Sequence, residues 1–272
     1  MKVIRTAAVL LTLALVSAAE AQTPSIVEGR LDERRLTGSL EQEFAAIMRE
    51  SAEASWIGYA VRGRDRSSGD GCWDGRNGRR TTPVKLEGSA ELYVLYRLEN
   101  RAVGRIQVAS PDCALDLGGL TLRWLTNVFA AASLDWLSAF TRGDGSQKAA
   151  SGAIVAIALH GDGAAVDRLI AIAKDGRDRQ TRSNALFWIS QRAGDRAAGT
   201  ITDAIEKDPD TQVKRQAVFA LSQLPRNEAV PRLIDVARNN RNSEVRKQAM
   251  FWLGQSHDPR ALAFFEEVLR SR

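Results

Sequence analysis

The stretch KRQAVFALSQ, residues 214–223, comes back as RKQAMFWLGQ at residues 246–255, 32 positions later. The same step runs back through earlier sequence. Ala153, Ala185, Ala217 and Ala249 form one comb, followed by Ile154, Leu186, Val218 and Met250, with Ile157, Ile189, Leu221 and Leu253 three positions further on. A second comb runs through Ala165, Ala197, Ala229 and Ala261. Inside one unit, Val213, Ala217, Val218, Ala220, Leu221 and Leu224 share a helical face, and Val230, Leu233, Ile234 and Ala237 follow the i, i+3, i+4, i+7 spacing of a second helix. A 32-residue unit is therefore a helical hairpin. One hairpin cannot bury its own apolar face, whereas four in series build a continuous core from contacts between neighbours. The sequence predicts such an α-solenoid over residues 148–272, with Pro209, Pro231 and Pro259 at helix starts or connections and Asp258 capping the last helix.

The chain of 272 residues is 44% hydrophobic and 26% charged, the balance of a folded globular protein. It begins MKVIR, continues TAAVLLTLALVSA and reaches Ala19-Glu20-Ala21: a basic start, an apolar run and a small-x-small cleavage site, so residues 1–21 read as a signal peptide. The run is shorter than the ~20 residues a spanning helix needs, and no membrane span is expected in the mature chain. Cleavage would remove Lys2, Arg5 and Glu20, leaving 36 basic against 32 acidic residues, a mild excess unlike that of a polyanion binder. The product would be exported, periplasmic or secreted.

Residues 22–38 are polar and read as a flexible segment. Ser39 with Gln42 forms a capping box for a helix that aligns Leu40, Phe44, Ile47 and Met48. The period then changes. WIGYAV (56–61) reads as a strand, ELYVLYRLENRAVGRIQVAS (91–110) as a hairpin turning near Glu99-Asn100-Arg101, and Leu120–Leu125 as another strand before a helix at Leu134–Phe140. Together they suggest a small α+β domain over 39–141 with a long Arg- and Gly-rich loop from Gly63 to Pro83, bounded by TRGDGSQ at 141–147. The fold class is mainly α: a solenoid of four hairpins preceded by that domain.

The pattern D-x-x-V-R/K-x-x-A-x-x-A/W-L, met at Asp210–Leu221 and, with Asn242 leading, at 242–253, resembles the bacterial HEAT repeats of the phycobilisome-lyase type. The segment with WIGYAV and SPDCALDLGGL resembles the front domain of exported bacterial HEAT-repeat proteins, a likeness that carries no activity. The repeat resemblance implies stacking through carboxylate–cation bridges, here Asp178, Asp210 and Asn242 with Arg182, Lys214 and Arg246, and a second helix that lines the concave side. One HEAT family, the deoxyhypusine hydroxylases, holds iron through His-Glu pairs. Here Gly161 follows His160 and Asp258 follows His257, so that metal set does not carry over.

Residues that recur in every unit serve stacking first; this covers the ladders Phe187, Phe219, Phe251 and Gln191, Gln223, Gln255. Trp188 and Trp252 depart from Ala156 and Ala220 and are candidate partner-binding residues. So are Arg168, Asp203, Arg232 and Asp235, because they point away from the core on the second helices, in a row that is polar, mixed in charge and, taken together, different in every unit. No phosphate loop, nucleophile elbow or Cys-x-x-Cys is present, and neither histidine has a second ligand at metal-binding spacing. No catalytic residue, cofactor or metal is therefore expected. Cys72 and Cys113, 41 residues apart in an exported chain, are expected to form a disulfide worth about 3–4 kcal/mol of loop-closure entropy, the alternative being a free reactive thiol. Arg76, Arg79 and Arg80, around Trp73, are candidate anion-binding residues or a solvated loop. The functional expectation is a non-enzymatic protein-binding scaffold of the cell envelope with an unidentified protein partner, and no nucleic acid or small-molecule substrate. A HEAT-repeat enzyme of the bilin-lyase or hydroxylase type, or a polyanion-binding module using the Arg-rich loop, stays open beside it.

Overall fold

The structure is a computed structural model, and it describes residues 23–50, 52–64, 72–73, 80–81, 90–192 and 195–270. In chain order the described elements are β1 (Ile26–Arg35), α1 (Leu40–Glu50), β2 (Ser55–Arg62), β3 (Cys72–Trp73), β4 (Arg80–Thr81), β5 (Glu91–Glu99), β6 (Ala102–Ala109), β7 (Leu115–Thr126) and α2 (Ala130–Ala139). Four helical pairs follow: α3 (Gln147–Leu159) with α4 (Ala164–Asp175), α5 (Arg179–Arg192) with α6 (Asp195–Lys207), α7 (Thr211–Ser222) with α8 (Arg226–Asn239), and α9 (Ser243–Gln255) with α10 (Pro259–Arg270). These are the four hairpins that the 32-residue comb predicts. The comb residues Ala153, Ala185, Ala217 and Ala249 are buried at 0% exposure, so the repeat marks the core rather than the surface.

Five strands form one sheet in the order β1-β7-β2-β5-β6. β7 runs parallel to both of its neighbours, β1 and β2, while β2-β5-β6 is an antiparallel meander. Asn100 and Arg101 both take positive φ, 51° and 58°, the backbone that lets a two-residue turn follow the twist of the strands it joins. Ser39 and Gln42 cap α1 reciprocally, each side chain meeting the other's backbone N–H at 3.1 and 3.4 Å. One sheet face, with Ile57, Tyr59, Val94 and Tyr96, packs on α1 and α2. There the Tyr59 hydroxyl lies 2.6 Å from that of Tyr96 and 3.1 Å from Ser133 Oγ, and burial pushes the Tyr59 phenol up to about 12. On the opposite face Trp56, Tyr93, Leu122 and Trp124 pack with Leu115 and Leu117. Those two leucines precede Gly118 and Gly119, whose positive φ accompanies a bulge: the β1–β7 register jumps from Glu28↔Asp116 to Arg30↔Thr121.

Three sequence expectations change. The flexible segment expected at 22–38 contains β1. It is an edge strand exposed along most of its length, so its residues carry neither an apolar run nor a clean alternation from which a strand could be read. Pro231, expected at a helix start or connection, lies inside α8, where it cannot donate a helical hydrogen bond; Pro225 stands at the N-cap of that helix instead, while Pro259 opens α10 as expected. The third concerns the boundary at 141–147. One hydrophobic cluster runs from Leu36 and Phe44 through Ile106 and Leu137 into Ala153, Ile157 and onward to Phe264, so the sheet and the solenoid share a core.

The seam explains why. α3 lies directly on β6: a methyl group added at Gly152 would stand 2.0 Å from the Ile106 carbonyl oxygen. At the far end of α3 the chain joins β2, with Arg64 N–H donating to Leu159 O at 2.8 Å and Gly161 N–H donating to Arg62 O at 2.7 Å. Gly161 is as tightly held, since a Cβ there would be 2.4 Å from Gly63 O. Backbone meets backbone at both contacts, which only glycine permits.

Candidate functional site

Between the hairpins, the repeated polar residues do two jobs. Asp178, Asp210 and Asn242 cap α5, α7 and α9, accepting from the backbone N–H of Thr181, Gln212 and Glu244 at 2.7–2.9 Å. Bridging to the next unit comes partly from other side chains. Arg179 donates to Asp210 at 2.7 Å and holds that carboxyl below the usual carboxylate range, and Asn242 donates to Thr211 at 3.0 Å. Arg182 pairs with the buried Asp208 rather than with Asp210, at 2.8 and 3.2 Å. Lys214 and Arg246 reach backbone carbonyls of Glu206 and of Asn240 and Arg241. The expected carboxylate–cation bridge is thus distributed over Asp208, Asp210 and backbone carbonyls at and just after the ends of the second helices.

The aromatic ladder stacks as expected. Phe187 and Phe219 are parallel within 3° at 6.3 Å, and Trp252 sits 5.0 Å from both Phe219 and Phe251. Trp188 packs on Phe187 at 5.5 Å. The two irregular tryptophans therefore continue the ladder on the first helices, and Phe251 at its end is 55% exposed. Arg192, at the end of α5, donates to the carbonyls of Ile157, Ala158 and Asp162 around the end of α3 and so ties unit two to unit one.

The second helices present a different surface. Arg232 and Asp235 are exposed on α8 and are tied along their own helix, Arg232 to Glu228 and Asp235 to Asn239. Asp203 on α6 accepts from Lys207 at 2.7 Å, which lowers its pKa, and both border a cleft of about 340 Å³ with Lys174 and Thr200. Arg168 departs from this pattern, because its guanidinium reaches across to Asp135 of α2 and so links the first repeat to the front of the molecule. Arg196–Asp167 and Arg238–Glu267 link α6 to α4 and α8 to α10 in the same manner.

His160 caps α3 at the seam and is fully buried. Its Nδ1 accepts from the Asp162 N–H at 3.3 Å, and its Nε2 has no hydrogen-bond partner among the described residues. Burial lowers its pKa to about 4; Asp162 works in the other direction, and Arg192 adds to the lowering. The imidazole is a neutral packing group there. His257 is exposed, with φ 51°. Among the described residues, no group of three or more His, Cys, Asp or Glu side chains could hold a metal ion, and no helix is long and apolar enough to cross a membrane.

The expectations for residues 1–21, for Arg76 and Arg79, and for the side chains of Cys72 and Arg80 fall outside the described residues. Cys113 is buried just before β7, and β3, whose first residue is Cys72, lies beside β7.

A family model for HEAT repeats matches residues 198–272. No curated protein matches the chain. Among solved structures the chain is similar to the complex of CpcE and CpcF of phycocyanin lyase from Nostoc sp. PCC7120, at 21% identity and a TM-score of 0.40, covering 52% of this chain and 91% of that one. A likeness of that size says nothing about activity.

Proposed function

We propose that this HEAT-repeat protein is a non-enzymatic scaffold of the cell envelope that docks a protein partner on the outward row of its second helices. The carrying observation is a contrast within each unit. Side chains stacked between units recur along the comb, as Phe187, Phe219 and Phe251 do, whereas the outward row changes from Thr200, Asp203 and Lys207 on α6 to Arg232, Asp235 and Asn239 on α8, agreeing one step apart at Asp203 and Asp235 alone. Uniform positions suit stacking, and varied, charged, solvated positions suit recognition of one particular partner. Arg168 begins the row but is engaged by Asp135, so the docking surface centres on α6 and α8. Export supplies the oxidising space in which Cys72 and Cys113 pair, supported by the position of β3 beside β7; two titratable thiols in the native oxidised chain would contradict that pairing.

The test replaces Asp203, Arg232 and Asp235 together by alanine, with Arg168→Ala as a fourth change. Exposed substitutions cost about 0.5 kcal/mol or less each, so the three-residue variant should melt almost as the parent does. Capture of a partner from the native envelope should be lost. If capture survives in the folded variant, the docking surface lies elsewhere and the Arg-rich loop with Arg76, Arg79 and Arg80 becomes the next to test.

A further inference from the structure

The groove between α7 and α8 is closed by the unit that follows. Ser222, Arg226, Ala229, Val230 and Leu233 line it, and Trp252, Gln255 and Ser256 of the fourth unit border it from the other side, leaving about 230 Å³. One 32-residue step on, Gly254, Asp258, Ala261, Leu262 and Phe265 line the counterpart between α9 and α10. Its volume is about 440 Å³, and among the described residues everything that borders it belongs to the fourth unit. Exposure changes accordingly. Val230 is 1% exposed and Leu262 62%, while Ile205 is 0% exposed and Leu269, two steps on, 73%. The fourth unit thus keeps apolar side chains at positions that stacking buries in the units before it.

We propose that the groove between α9 and α10 docks an amphipathic helix of a protein partner, anchored by a tryptophan side chain. The occupant is read from the interface that the groove continues. Three times in the chain a first helix lies along the preceding second helix, α5 on α4, α7 on α6 and α9 on α8. At the last of these the large side chain brought to the groove is Trp252. Gly254 stands in the open groove where the closed one has Ser222, and among the described residues a Cβ at Gly254 would meet nothing within 4 Å. An indole that borders the smaller groove therefore has room in the larger one. A tryptophan on a helix laid into an apolar groove is also the kind of anchor that carries most of the affinity at such contacts. A second copy stacked head to tail cannot supply this helix, because its α3 is held against its own β6 with no space for a methyl group. The site is built from α9 and α10 and does not rest on the docking row of α6 and α8.

The probe is a labelled synthetic peptide of residues 242–256, the chain's own Trp252 segment, held helical by a lactam from Ser243→Glu to Lys247. One step earlier Thr211 and Arg215 face the following unit, so the lactam lies on the side turned away from the groove. Fluorescence anisotropy against the full chain should show saturable binding, weakened about tenfold or more by Leu262→Asp in the chain and by Trp252→Ala in the peptide. Leu262 is exposed, so the variant should fold, which its melting checks, and Leu269→Asp gives a second reading of the same face. Absence of saturable binding overturns the proposal, as does binding that Leu262→Asp or the peptide's Trp252→Ala leaves unchanged. Sedimentation velocity on the chain alone supplies the remaining outcome: a dimer that Leu262→Asp abolishes would assign the face to a second copy and overturn the proposal too.

Discussion

The first helix of the first hairpin and the first helices of the later ones occupy equivalent places but bury their faces differently. At the step that gives Asn184, Gln216 and Gln248, α3 has Gly152, and where the others carry Phe187, Phe219 and Phe251 it has Val155. Later units meet through side chains, as in the Phe187–Phe219 stack and the hydrogen bonds from Arg215 to Gln248. The first meets β6 through backbone, with no room for a methyl group. The sheet thus takes the place that a preceding repeat would fill and satisfies the exposed end of the stack, which a solenoid needs in order to stay soluble. Arg168–Asp135 and the Arg62–Gly161 hydrogen bond fasten the same end at two further points. At the other end Leu262 and Leu269 of α10 remain 62% and 73% exposed.

The comparison breaks most readily at Gly152. Gly152→Ala forces α3 and β6 apart and should cost about 3 kcal/mol or more, in the range of severe overpacking, whereas Gln216→Ala at the equivalent exposed site should cost within about 0.5 kcal/mol. Urea unfolding of the two variants measures the difference; equal costs would mean that the seam is loose. A smaller effect belongs to pH. His160 has a folded pKa of about 4, depressed from 6.5, so the unfolded chain binds its proton first as the solution is acidified. Its contribution is fully present above pH 6.5 and falls as pH drops toward 4, by about 2 kcal/mol at pH 5 and about 3 kcal/mol at pH 4. His160→Asn keeps an acceptor for the Asp162 N–H and should flatten the pH dependence of stability between pH 6.5 and 5; an unchanged slope would place the acid sensitivity elsewhere.

How legible was this in the sequence? The solenoid was, because alanines and branched residues repeat at one period and no other fold requires that. The seam was legible only in hindsight of the same comb: Gly152 and Val155 break it at two places on one face, a signal that the unit meets something other than a repeat. β1 escaped because an exposed edge strand obeys pairing and not burial, and its polar residues carry no alternation. The outward row on α6 and α8 could be located by helical spacing, yet the capture of Arg168 by Asp135 depends on how α2 settles beside α4, a long-range placement that no local pattern encodes. The distribution of bridging over Asp208 and the helix-end carbonyls escaped for the same reason.

The central claim is that sheet and first repeat are one cooperative unit, and native-state hydrogen exchange tests it most directly. The amides of Arg64 and Gly161, which cross the seam, should exchange with the same opening free energy as Ile106 in β6 and Leu186 in α5, and all four should weaken together in denaturant. Exchange of Ile106, Arg64 and Gly161 through a separate, lower-energy opening while Leu186 stays protected would contradict it, and would make the sheet an independent domain resting against the solenoid.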